Sequence, residues 1–238
     1  MELAEQPNAA PAGFRDSREK WYSPYRGVPA ATTLRWLVTG VLVYALLLLV
    51  AVSSRPEDAT LLPFLGPSFY LTPAFGLPFV LATAHRPGRL RRIVYFIVLL
   101  PLVHMAAVYV AWDHGLSRYA FEPGAETLHL IKSGAFGGVV GATLAFALLW
   151  LVGLAPGTRP RVATMGLATA ALTAIGAASM AQAGLLAGGA AIAAHDSSAL
   201  IIGLELIHAP WQLAFAFALA TLMRPFRPRS RFAARGAA

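Results

Sequence analysis

The stretch 85–114, "HRPGRLRRIVYFIVLLPLVHMAAVYVAWDH", decides how the chain is read. It opens on Arg86, Arg89, Arg91 and Arg92, then runs from 93 to 112 without an Asp, Glu, Lys or Arg. A helix rises ~1.5 Å per residue, so the apolar run 93–113 is long enough to cross a ~30 Å hydrocarbon layer. Arginines crowded at one end and an acid, Asp113, at the other orient that crossing. His104 lies in the middle of the run, where an imidazole needs a reason to be.

Five further runs have the same character, at roughly 34–53, 61–84, 131–154, 162–186 and 198–223. Of the 238 residues 57% are hydrophobic and 13% charged, about half the charged share of a soluble domain. Only closed backbone hydrogen bonding survives in lipid, and the expectation is an all-α polytopic membrane protein, a bundle of six transmembrane helices. The second run, "LLPFLGPSFYLTPAFGLPFV", holds Pro63, Pro67, Pro73 and Pro78 with Gly66 and Gly76, so it reads as a Pro-broken helix. The organisation is then a flexible basic tail at 1–33, a transmembrane domain at 34–223 and a second basic tail at 224–238.

Charge in the connections sets the orientation. Arg15, Arg18, Lys20, Arg26 and Arg35 precede or open the first run, the four arginines of 85–92 separate the second from the third, Arg159 and Arg161 follow the fourth, and Arg224, Arg227, Arg229, Arg231 and Arg235 follow the sixth. The alternate connections carry Arg55 against Glu57 and Asp58, and only His195 and Asp196 at 187–197. All the basic connections fall on one side, which the positive-inside rule makes cytoplasmic, with both termini there. The expected location is a bacterial cytoplasmic (inner) membrane. Residues 1–33 are too long for the n-region of a signal peptide, and "AVSS" at 51–54 is only a faint cleavage site.

The net charge of +8 flanks apolar runs, which suits anionic headgroups of the lipid bilayer and gives no basic recognition element for nucleic acid. The chain has no cysteine, which removes disulfides, thiolate metal sites and thiol catalysis. It has no phosphate-cradling Gly-Lys-Ser/Thr loop, no HExxH pair and no GxSxG elbow, so an enzyme is the less favoured class. "HDSS" at 195–198 sets three triad residue types side by side, but neighbours in sequence seldom form a triad. The two halves show no repeat beyond a slight likeness between "LLPLVHMAA" and "ELIHAPWQLA".

The sixth run, "LIIGLELIHAPWQLAFAFAL" at 200–219, carries the polar groups that lipid tolerates least. Glu205, His208 and Gln212 are spaced by three and then four, which puts them on one helical face. By helical rise Glu205 lies ~10 Å and His208 ~15 Å below the outer edge, and His104 of the third run reaches a similar depth. Pro101 and Pro210 flank the two histidines and free backbone carbonyls beside them. Structural readings exist: a hydrogen-bonded acid between two helices, core histidines, a kinked packing helix. The functional reading takes Glu205, His208, Gln212 and His104 as a substrate- or ion-binding site, with Glu205 exchanging a proton or binding a cation. At the outer ends Asp113, His114, Glu126, His129, Lys132, His195 and Asp196 form an expected vestibule, without the spacing of a known metal motif. The small residues of "GAFGGVVGATLAFA" and of the fifth run suit close helix packing, with a substrate groove or an oligomer face as the alternative.

These observations favour a small transporter or permease-like subunit. Two alternatives stand beside it: a redox subunit holding haem b or a quinone through His104 and His208, and a non-catalytic accessory subunit working with other membrane subunits or as a homo-oligomer.

Overall fold

The computed structural model describes residues 27–54, 66–115, 125–155, 158–187 and 197–225, and among them every regular element is helical. The described residues form six helices: α1 (Ala30–Ser54), α2 (Pro67–Ala82), α3 (Arg89–His114), α4 (Glu126–Leu151), α5 (Arg159–Ala187) and α6 (Ser197–Leu222). All but α2 are long and apolar enough to cross a membrane, which makes this an integral membrane protein of several passes. The shorter α2 rises ~24 Å. Residues 1–26 and 226–238 of the tails, and 61–65 of the expected second span, lie outside the described residues. Two helices begin ahead of their apolar runs because the backbone stays helical through Arg89, Arg91 and Arg92 and through Arg159 and Arg161. Arginine is a good helix former whose long side chain carries its charge to the helix end.

Each helix packs antiparallel to the next, and α6 returns to α1 to close the ring. Gly40 and Tyr44 of α1 meet Phe75 and Ser68 of α2 in reversed order. Phe79 and Thr83 of α2 likewise meet Phe96 and Arg92 of α3. Gly134 and Gly138 of α4 meet Gly176 and Leu172 of α5, and Val28, just before α1, donates its N–H to Met223 at 3.4 Å. Two crossings depend on glycine. A Cβ on Gly40 would collide with the Phe75 carbonyl, and one on Gly134 with the Gly176 carbonyl, so the backbones themselves touch there. In lipid such close approach replaces the hydrophobic drive that water would supply.

The turns gather the described arginines at one end. Arg91 Nη1 donates to the Val152 carbonyl at 3.4 Å, and Arg161 Nη2 donates to the Arg224 carbonyl at 2.8 Å. Arg92 is fully buried there. Its guanidinium donates to the carbonyls of Thr83 (2.8 Å), Arg86 (2.8 Å) and Pro87 (2.7 Å), where α2 ends and turns into α3. Those carbonyls belong to the turn that follows α2, and a cation with a planar fork of donors can gather all three. The other end of the ring carries Ser54, Ser68, His114, Glu126 and Ser197.

Prolines shape two helices. Pro67 and Pro73 each open a piece of α2, Pro67–Tyr70 and Thr72–Ala82, and the chain bends at Leu71 between them. The break expected of this helix is therefore present, and Pro78 lies inside the second piece. In α3 residues Val94–Leu99 form a π-helical stretch just before Pro101. The ring of Pro101 would clash with the Ile97 carbonyl in a regular helix, and wider turns accommodate it.

Replacing Arg92 by Met keeps the bulk and removes the donors. The expected loss is roughly 2–4 kcal/mol of unfolding free energy in mixed micelles, against less than about 0.5 kcal/mol for the exposed Arg159→Met. Equal effects in the two variants would contradict that role of Arg92.

Candidate functional site

A cavity of about 130 Å³ lies between α3, α4, α5 and α6, with Thr72 and Phe75 of α2 at its flank. On α3 its lining runs from Leu100 to Ala111 and on α4 from Ser133 to Ala145, so it is a slot ~16–18 Å long. Ser133 packs under Gly115 at the arginine-poor end, which fixes where the slot begins. It stops at Ala145 and Phe215. From there to the arginine end the interior is filled by Phe79, Tyr95, Phe96, Phe146, Leu149 and Leu219, all buried. Phe215 stacks on Phe75 at 5.9 Å and meets Phe146 at 5.7 Å, and Phe79 meets Phe96 edge-on at 5.4 Å, spacings at which aromatic pairs attract.

His104 and His208 reach the slot from opposite sides of the ring, their centroids 5.2 Å apart and their planes at 49°. Tyr44 meets the second imidazole edge-on at 6.0 Å and donates its hydroxyl proton to the Ser68 carbonyl at 3.3 Å. It thereby links α6 to α1 and α2 at the level of the imidazoles. Gln212 lines the slot one turn deeper than His208, and Trp211 beside it stacks on Phe215 at 5.0 Å. Pro210 lacks the N–H that would reach the Leu206 carbonyl, so α6 is weakened next to the imidazole. Three buried atoms of the lining, His104 Nε2, Ser133 Oγ and Gln212 Oε1, have no protein partner. In the interior such groups are normally satisfied, and each one left alone costs about 1–3 kcal/mol.

Glu205 is placed differently. It lies one turn before His208 and is half-exposed, and the slot's lining on α6 begins at Ile207. Its Oε1 is buried without a protein partner, but the group is not part of the cavity wall. No charged side chain lines the slot. Of the expected vestibule, Asp113 and His114 are exposed at the end of α3 with Oδ2 and Nδ1 3.3 Å apart. Glu126 is half-exposed in the first turn of α4, His129 is buried one turn on, and Lys132 is exposed. His195 and Asp196 lie outside the described residues. Among the described residues no three His, Asp or Glu side chains converge as metal ligands.

The sequence reading passed over Ser133, Trp211 and Tyr44. For the first a signal existed: Ser133, Gly137, Gly141 and Ala145 recur every fourth residue, a stripe that makes one wall of the slot. Small side chains there leave room as well as permitting contact.

The arrangement can hold a small molecule by hydrogen bonds along a narrow, uncharged and partly aromatic wall. A cavity of about 150 Å³ accommodates benzene, so a single ring is the natural size here. A porphyrin, with four such rings, does not fit, and the two imidazoles face each other too closely for an iron macrocycle between them. No family model, curated protein or solved structure matches this chain.

Cysteines placed at both His104 and His208 are expected to join under mild oxidation or with a short bifunctional thiol reagent, read as an intrachain crosslink by mass spectrometry. The pair His104→Cys with Trp150→Cys, whose second site is exposed near the arginine end, should stay unlinked. Failure of the first pair in folded protein would contradict the imidazole contact.

Proposed function

We propose that this chain is a small membrane transport protein whose solute site is the slot between α3 and α6. The observation that carries the reading is a cavity in the arginine-poor half of the ring, stopped at its middle by packed aromatic rings. A one-sided, half-depth cavity with hydrogen-bonding groups along it is what an alternating-access protein presents in one of its states. The prolines beside both imidazoles and the bend at Leu71 supply positions where helices α2, α3 and α6 can change shape.

In this reading α2 is a sixth, shorter crossing and the arginine end is cytoplasmic, with both termini there and the slot opening outward. The membrane is the bacterial cytoplasmic (inner) membrane. His104, His208 and Gln212 bind the solute. Glu205, half-exposed one turn above the imidazole, is the group available for coupling to a proton or cation.

The test is osmotic swelling of proteoliposomes with a panel of small solutes of differing charge. Wild-type protein should admit at least one solute faster than empty liposomes, and Gln212→Leu should lower that rate about tenfold. Glu205→Gln should keep the rate at one pH and flatten its change across a pH series. Swelling no faster than in empty liposomes, or untouched by Gln212→Leu, would overturn the reading.

A further inference from the structure

The chemistry of the slot wall narrows what can occupy it. Its lining contains no Asp, Glu, Lys or Arg, and the nearest such acid on the lining helices, Glu205, stands outside it. An ion in the slot would leave its water for dipoles and aromatic faces alone, a cost of several kcal/mol that no countercharge offsets. Yet the wall is not inert. Ser133 is fully buried and Gln212 is 8% exposed; both line the slot with His104, and Ser133 Oγ, Gln212 Oε1 and His104 Nε2 are buried without a protein partner. A purely apolar occupant would leave all three unsatisfied.

The positions of these atoms add a constraint of shape. Ser133 lies toward the arginine-poor end, the imidazoles midway, and Gln212 deeper, beside the stacked rings of Trp211 and Phe215. Gly141 packs against Ala107 and the Trp211 ring, and Gly137 against Ala107 and Ala111 of α3, so α4 adds no side chain of its own to the slot at these two positions. The volume of about 130 Å³ limits the occupant to about one ring.

We infer that the slot binds a small, uncharged molecule of about one ring, carrying hydrogen-bonding groups that meet Gln212 and the imidazole pair. This rests on the slot being the solute site. It assigns the solute's class, and it places Glu205 outside the contact shell.

Benzamide, benzoate and benzylammonium separate the possibilities, because they share one ring and differ in charge. Binding is measured by isothermal titration calorimetry or saturation-transfer NMR on the whole protein in nanodiscs, with empty nanodiscs as the partition reference. Benzamide should bind saturably, and benzoate and benzylammonium at least about a hundredfold more weakly. Toluene, which has the ring without the polar group, should bind about tenfold more weakly than benzamide. Gln212→Leu, close in size, should weaken benzamide about tenfold, and the small change Ser133→Ala guards against a variant that fails to fold. Either ion binding as tightly as benzamide would overturn the inference, as would no saturable benzamide binding to folded wild-type protein. Benzamide bound at this site but not carried in the swelling assay would uphold the inference and overturn the transport reading alone.

Discussion

Hydrocarbon supplies no partner for a polar group, and every part of this molecule answers that shortage. The main chain answers it by being helical throughout its regular elements, so that peptide groups pair within their own segment. Where α2 ends and the chain turns, the buried Arg92 donates to the carbonyls of that turn. Where proline removes a donor, the backbone bends or widens, as at Leu71 and at the π-helical stretch before Pro101. The polar side chains obey the same rule by turning inward: His104, His208, Gln212, Ser133 and Tyr44 all point into the ring or its contacts.

Closing six antiparallel helices into one ring creates the second constraint, because the ring needs its interior filled. Toward the arginine end aromatic and leucine side chains fill it. Toward the other end α4 offers serine, glycines and alanine every fourth residue, and small side chains cannot fill the space. The same helix is therefore both the tightest neighbour of α5, through Gly134 and Gly176, and the bare wall of the slot. Glycine placement thus decides where the protein is solid and where it is hollow.

Much of this was legible in the residues. Runs of apolar side chains located the helices, the prolines of 61–84 announced the broken α2, and the arginine-bearing connections fall at one end of the ring as their alternation implied. The matched depth of His104 and His208 foreshadowed the imidazole pair. Helical spacing alone could not say what Glu205 does. Sharing a face with Gln212 fixes an angle around α6, but whether that face meets a cavity at a given height depends on how α6 lies against α1 and α5. Tyr44 was invisible for a related reason: a tyrosine inside an apolar run shows its role only when the neighbouring helix that accepts its proton is known. The cavity's volume belongs to the same class, since it is a property of four helices at once.

The central claim is a polar slot in the arginine-poor half of the ring, closed toward the other end by packed aromatic rings. The chain has no native cysteine, so single thiols report on it directly. The rate of reaction with N-ethylmaleimide, whose double bond is attacked by thiolates in contact with water, is to be measured for Ala111→Cys, His208→Cys, Leu219→Cys and the outward-facing Leu46→Cys. Thiols at 111 and 208 should react and those at 219 and 46 should not. Reaction at 219 as fast as at 208, or none at 208 in folded protein, would contradict the account.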